Sequence, residues 1–203
     1  MKNQIITAIT GASGAIYGAR FAGRLIEAGR DVLLIVTENG QKVVQHELGF
    51  KIDYKNFAEY ISSTMNIRIT PENLSIVRND NLFAPPASGT SLYDAMVIIP
   101  CTMNTLSSIA AGRASNLLER AADVFLKERR RLILVPRETP LSTIHLENML
   151  RASNAGAVIL PAMPAFYFKP DKIEDLADFI ASKIFNIIGV FSGFVKSWTD
   201  ESK

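Results

Sequence analysis

The sequence predicts an α/β fold: a three-layer sandwich with a mostly parallel central sheet and helices on both faces. Two observations predict it. Short apolar runs rich in β-branched residues alternate with segments of helical periodicity. Those runs read as strands buried on both faces, which is the character of parallel rather than half-exposed antiparallel sheet.

The elements follow in chain order. Ile5–Thr10 is the first buried strand. Ile16, Phe21, Leu25 and Ile26 mark a helical stripe over Ala15–Ala28, and Gly29 stops it. Val32–Val36 is the second strand, and Gln41–Leu48 is helical. The region Phe50–Thr90 is the least regular. Leu74–Val77 is a short strand there, while Asp80-Asn81 and Ala84-Pro85-Pro86-Ala87-Ser88-Gly89 read as loop, mobile or in contact with another subunit. Ala95–Ile99 is a strand with Pro100 at its exit. Leu106–Ala111 and Leu117–Leu126 are helices parted by Gly112. Leu132–Val135 is a strand ended by Pro136, Thr143–Ala152 a helix, Ala157–Leu160 a strand, and Ile173–Ile188 a long amphipathic helix. No repeat or low-complexity segment interrupts the pattern, and 203 residues suit one domain over 1–203.

Composition excludes several classes. A net charge of +2 is too small to argue for nucleic acid. One cysteine, Cys101, allows neither an internal disulfide nor a paired zinc motif, and His46 and His145 lack ligand spacing, so a metal-free chain in a reducing compartment is expected. The apolar stretch Ala155–Phe168 is broken by Pro161 and Pro164, and Ile184–Val195 falls short of the roughly 18 apolar residues a membrane span requires. With no signal-peptide pattern at the start, a cytoplasmic protein is expected.

In open parallel sheets ligands sit beyond the carboxyl ends of the strands. The exits carry Gly11-Ala12-Ser13-Gly14, then Thr37-Glu38-Asn39-Gly40, then Thr102-Met103-Asn104-Thr105, then Arg137-Glu138-Thr139-Pro140, then Met163-Pro164-Ala165-Phe166-Tyr167. One edge thus gathers glycines, hydroxyls, an arginine, a carboxylate and aromatics. Gly11–Gly14 can cradle a phosphate at a helix N-terminus, or serve packing alone. Thr102 and its neighbours can meet a phosphate or simply cap a helix. Arg137-Glu138 can be catalytic or a structural ion pair. Neither the G-x-G-x-x-G fingerprint nor a P-loop occurs.

Several motifs occur together in order: Thr10-Gly11-Ala12-Ser13-Gly14-Ala15, Pro85-Pro86-Ala87-Ser88-Gly89, Glu119-Arg120-Ala121-Ala122-Asp123-Val124, Leu126-Lys127-Glu128-Arg129-Arg130, Pro136-Arg137-Glu138-Thr139-Pro140-Leu141 and Pro164-Ala165-Phe166-Tyr167. From about Ile5 to Trp198 the chain resembles the UbiX flavin prenyltransferase family. The resemblance implies a Rossmann-like (flavodoxin-like) flavoprotein, a homododecamer with sites near subunit contacts and with residues of about 189–203 packing there. It implies that reduced FMN and dimethylallyl phosphate are joined at flavin N5 and C6, without a metal, and that the product serves a UbiD-type decarboxylase. It places flavin contacts at Gly11, Ala12, Ser13, Thr37, Thr102, Met103, Asn104, Thr105 and Arg137. It places prenyl-phosphate contacts at Ser88, Gly89, Arg120, Lys127, Tyr167 and Lys183, with Trp198 a nearby aromatic. Glu138 matches the acid/base, and Ser13, expected on the neighbouring strand exit, its relay partner. Thr37 stands where serine is frequent, and Lys183 where arginine is, which removes the bidentate fork.

Two other readings compete. Cysteine decarboxylases of the same fold rely on a histidine near the first helix, where this chain has Tyr17. A non-catalytic flavin-delivery protein would not need Glu138 or the Arg120–Lys127 cluster.

Overall fold

The apolar runs pair as six parallel strands. The computed structural model describes residues 3–191 and 193. Along the chain come β1 (Gln4–Ile9), α1 (Ala15–Glu27), β2 (Asp31–Val36), α2 (Glu38–Leu48), α3 (Tyr54–Met65), β3 (Leu74–Arg78), a 3-10 turn (Pro85–Ala87) and β4 (Ala95–Cys101). They are followed by α4 (Met103–Ala110), α5 (Leu117–Lys127), β5 (Arg131–Pro136), α6 (Thr143–Asn154), β6 (Val158–Ile159) and α7 (Ile173–Ile188). The strand order is β3-β2-β1-β4-β5-β6, the Rossmann order, with the chain reversing direction across the sheet between β1 and β4.

Alternation along each strand splits the core in two. Ile5, Ile9, Val32, Leu34, Val97, Ile99, Ile133 and Val135 face one layer, where they meet Phe21 of α1, Phe57 and Ile61 of α3, and Phe179, Ile184 and Phe185 of α7. Ile6, Ala8, Leu33, Ile35, Met96, Ile98, Leu132 and Leu134 face the other, against Leu106 of α4, Leu118 and Phe125 of α5, and Ala152 of α6. Each fully buried Leu, Ile or Phe side chain contributes about 1.5–3 kcal/mol relative to exposure. Phe21 and Phe185 meet edge to face at 5.9 Å. Beside them, buried Arg20 donates Nε to Asp178 Oδ1 at 3.0 Å, and Arg24 Nη2 bonds the same carboxylate, so two arginines of α1 tie it to α7.

Three elements differ from expectation. α3 lies in the stretch for which the sequence suggested no helix. It buries only Phe57 and Ile61, four residues apart, and is started by Asp53, whose carboxylate accepts from Asn56 N at 2.8 Å. α2 starts three residues earlier than expected because Thr37 caps it through Gly40 N, at 3.0 Å. α4 likewise starts at Met103 because Thr102 caps it through Thr105 N, at 3.1 Å.

Candidate active site

Beyond the strand ladders, hydrogen bonds stitch the exits together. Thr37 N donates to Ile9 O at 3.1 Å, Thr10 N to Pro100 O at 3.3 Å, Arg137 N to Cys101 O at 3.4 Å and Ala162 N to Pro136 O at 3.0 Å. The Thr10 side chain adds two bonds of its own: it donates to Pro100 O at 2.7 Å and accepts from Thr102 N at 2.9 Å. These bonds set Gly11–Ser13 and Thr102–Thr105 side by side at the switch point, where α1 and α4 depart on opposite faces. Gly11 is required for close approach, since a Cβ there would lie 2.6 Å from the Asn39 Cβ. Of the expected flavin contacts, Ala12, Met103 and Thr105 are buried, Gly11, Thr37, Thr102 and Arg137 half-buried, and Ser13 and Asn104 exposed. Thr102 donates its hydroxyl to Thr105 Oγ1 at 3.0 Å as well as capping α4.

Arg137 stands at the β5 exit with a buried Nε that has no hydrogen-bond partner among the described residues. A buried guanidinium donor left unpaired in the bare chain is suited to an acceptor supplied by a ligand. Burial raises the Tyr17 phenol above its ordinary value, and the Arg137 charge opposes that shift. The Tyr17 ring also packs over Gly14, whose φ of +102° only glycine adopts freely.

Glu138 is half-buried and accepts from Thr139 N at 3.1 Å; it makes no ion pair with Arg137 among the described residues. The structural-pair reading of Arg137-Glu138 is therefore not realised. Ser13 and Glu138 do not stand on adjacent exits: β4 lies between β1 and β5.

The expected prenyl-phosphate residues divide into two groups. Gly89 O accepts from Arg130 Nη2 at 2.6 Å, and a Cβ on Gly89 would lie 3.2 Å from Lys127 Nζ, so the Ser88-Gly89 loop seats on the last turn of α5. Arg120 donates Nε to Ala87 O at 3.2 Å. Carboxylates counter both cations, Arg120 with Asp123 at 2.7 Å and Lys127 with Glu128 at 2.9 Å, and Lys127 holds the Glu128 carboxyl below its ordinary range. Tyr167 and Lys183 lie in the other layer, around Phe179: Tyr167 meets its ring edge-on at 6.0 Å, and Lys183 Nζ sits 5.0 Å from its centre. Lys127 ends α5 just before β5 begins, at the opposite end of the sheet from Arg137. Six residues of β5 span roughly 20 Å between them. Within one chain the two groups thus meet neither each other nor, at Lys127, the strand exits. Trp198 lies outside the described residues.

The sequence reading missed Glu47. This residue of α2 accepts from Gly14 N at 2.9 Å and from Ala15 N at 2.8 Å, placing a carboxylate on the N-terminus of α1 beside Ser13. A glutamate near the end of a short helix carries no local signal of such a contact. Among the described residues no three metal-ligating side chains converge, and no helix is long and apolar enough to cross a membrane. His145 instead completes the capping box of α6, with Ser142 N donating to its Nδ1 at 3.2 Å.

Comparison with known proteins identifies the family. The family model described as Flavoprotein matches residues 1–185. Flavin prenyltransferase UbiX of Pseudomonas aeruginosa is 44% identical over 98% of this chain and 95% of its own. Its namesake from Methanothermobacter thermautotrophicus is 47% identical over 96% and 95%. Among solved structures, AnUbiX in complex with FMN and dimethylallyl pyrophosphate superposes with a TM-score of 0.85 at 34% identity, covering 98% of both chains. A dodecameric FMN-dependent UbiX-like decarboxylase from Escherichia coli gives 0.82 at 34%, covering 96% and 98%. The cysteine decarboxylase TvaF, at 17% identity, a TM-score of 0.58 and coverage of 77% and 88%, shares the fold alone. The chain belongs to the flavoprotein family and, within it, to the flavin prenyltransferases of the UbiX type.

Proposed function

We propose that the chain transfers a dimethylallyl group from its phosphate to reduced FMN, forming bonds at flavin N5 and C6 and releasing phosphate. The observation that carries this reading is the buried Arg137 Nε, without a partner among the described residues, at the exit of β5 beside the hydroxyl-lined exits of β1, β2 and β4. Gly11–Ser13, Thr37, Thr102–Thr105 and Arg137 hold the flavin. Reduced FMN supplies the nucleophilic N5 and C6. The cations Arg120, Lys127 and Lys183 with Tyr167, Ser88 and Gly89 balance the charge of the departing phosphate, which takes the electron pair of the broken C–O bond. The aromatic face of Tyr167 keeps water from the developing allyl cation. As the C6 bond closes, Glu138 takes the proton that leaves C6 and returns one to the neighbouring carbon of the consumed allyl double bond, while the N5 proton leaves with the phosphate; Ser13 completes the proton path through the bound substrates.

The separation of the Arg120–Lys127 group from the Arg137 exit and from Tyr167 and Lys183 supports a site completed between copies. Exposed Leu82, Phe83 and Leu92 next to the Ser88-Gly89 loop, and Ile144, Leu146 and Leu150 on α6, supply apolar surface for such contacts. A homododecamer, matching the E. coli relative, is the assembly proposed. Of the segment of about 189–203 expected at those contacts, residue 192 and residues 194–203 lie outside the described residues. A UbiD-type decarboxylase receives the product, in the cytoplasm.

Incubating the protein anaerobically with FMN, a reductant and dimethylallyl phosphate tests this reading. The extracted flavin should gain the mass of one C5H8 unit, with one phosphate released for each. Unchanged flavin from folded, FMN-loaded protein would overturn it.

A further inference from the structure

We propose that Thr10 is a positioning residue of the flavin site, its hydroxyl joining the Gly11–Ser13 loop to the Thr102–Thr105 loop. The inference rests on the flavin reading above. The β1–β4 ladder runs through Ala8↔Ile98, after which the register of β4 against β5 shifts between Ile98 and Cys101. The two central strands therefore lose their regular pairing just where a ligand crevice has to open. Thr10 sits in that gap with 1% of its surface exposed. Its hydroxyl uses its proton toward Pro100 O at 2.7 Å and a lone pair toward Thr102 N at 2.9 Å. The first bond holds the β4 exit, and the second holds the residue that caps α4. Both bonds are made one residue before Gly11, so the two halves of the cradle share one anchor. Residues 10 and 102 are 92 apart in sequence, and no local preference puts them together.

The same strand supplies a control. Thr7 of β1, three residues before Thr10, is also fully buried, yet its hydroxyl has no partner among the described residues. Replacing either threonine by valine preserves shape and β-branching. Only at position 10 does the change remove the acceptor of a part-buried N–H, that of Thr102.

The experiment compares Thr10→Val, Thr10→Ser and Thr7→Val in the full-length assembled protein. FMN affinity is read by fluorescence quenching, the setting of the ring by visible circular dichroism of bound flavin, and folding by thermal melting. Thr10→Val should remain folded yet bind FMN about 10- to 100-fold more weakly with an altered flavin dichroism, as expected when a part-buried donor loses its acceptor at the site. Thr10→Ser should restore binding, and Thr7→Val should bind as the parent does. Wild-type FMN affinity in Thr10→Val, an equal loss in Thr7→Val, or failure of Thr10→Val to fold would each overturn the proposal; in the last case the hydroxyl is a requirement of the fold instead. If the parent itself bound no FMN, the flavin reading would fail separately. Hydrogen exchange over residues 101–105 of the ligand-free chain then tests the anchor alone. Thr10→Val should accelerate exchange there and Thr7→Val should not; equal exchange in both would sink it.

Discussion

The carboxylate of Glu47 closes the N-terminus of α1 by accepting the Gly14 N–H at 2.9 Å, with Ala15 N beside it at 2.8 Å. A charge so placed satisfies two of the free donors that begin a helix and complements its dipole. It also holds the turn that carries Ser13. Glu47→Ala should lower stability by about 1 kcal/mol, the usual cost of losing a cap, and weaken FMN binding. Glu47→Gln, which keeps an acceptor oxygen, should fall between the two. Thermal melting with flavin titration checks both; an α1 turn indifferent to Glu47 would leave affinity and melting unchanged.

Lys127→Ala should affect the prenyl donor far more than FMN. Removing one cation from a desolvated phosphate site costs about 2–5 kcal/mol. Lys127 sits on the far end of α5 from the flavin loops, so the KM for dimethylallyl phosphate should rise steeply with FMN affinity unchanged. Equal losses of both ligands would assign this turn of α5 to folding.

Glu138→Gln preserves shape and removes the titrating group. Since Glu138 makes no ion pair with Arg137 among the described residues, the change should spare FMN binding and the Arg137 setting while abolishing most turnover. Single-turnover assays across pH decide it: near-normal product at every pH would exclude Glu138 as the acid/base.

Phe83 is fully exposed between Leu82 and the Ser88-Gly89 loop. Phe83→Asp should reduce the assembly to smaller species in light scattering and cost activity in parallel, because the loop bearing Ser88 is offered to another copy. An intact large assembly in this variant would remove Phe83 from the interface.

Complete burial pushes the Cys101 thiol well above its ordinary 9.0. The native chain should therefore resist thiol reagents at pH 8 and react once unfolded. The sign for stability follows from the same shift. The contribution is fully present below the unfolded value and is lost as pH rises beyond about 9, where the unfolded thiolate gains protons less readily than the folded thiol keeps them. A Cys101→Ala variant should show a flatter loss of stability on the alkaline side in denaturant titrations.

The alternation of strand and helix, the parallel sheet and the residues at each exit follow from short-range pattern. A run such as Val32–Val36 or Leu132–Val135 is too apolar to leave either face in water, and the residue after it must turn. Gly11, Thr102 and Arg137 could thus be placed at one edge before any contact was known. α3 escaped because two buried residues, Phe57 and Ile61, give too faint a stripe. Pairing across the sheet was decided by the fold alone. Glu47 reaches Gly14 across 33 residues and Thr10 reaches Thr102 across 92, distances over which sequence pattern carries no geometry. The crossovers also put Arg120 and Lys127 in one layer and Tyr167 and Lys183 in the other. The handedness and order of those crossovers arise from packing whole elements against the sheet, so only the tertiary structure could part residues that the family resemblance groups together.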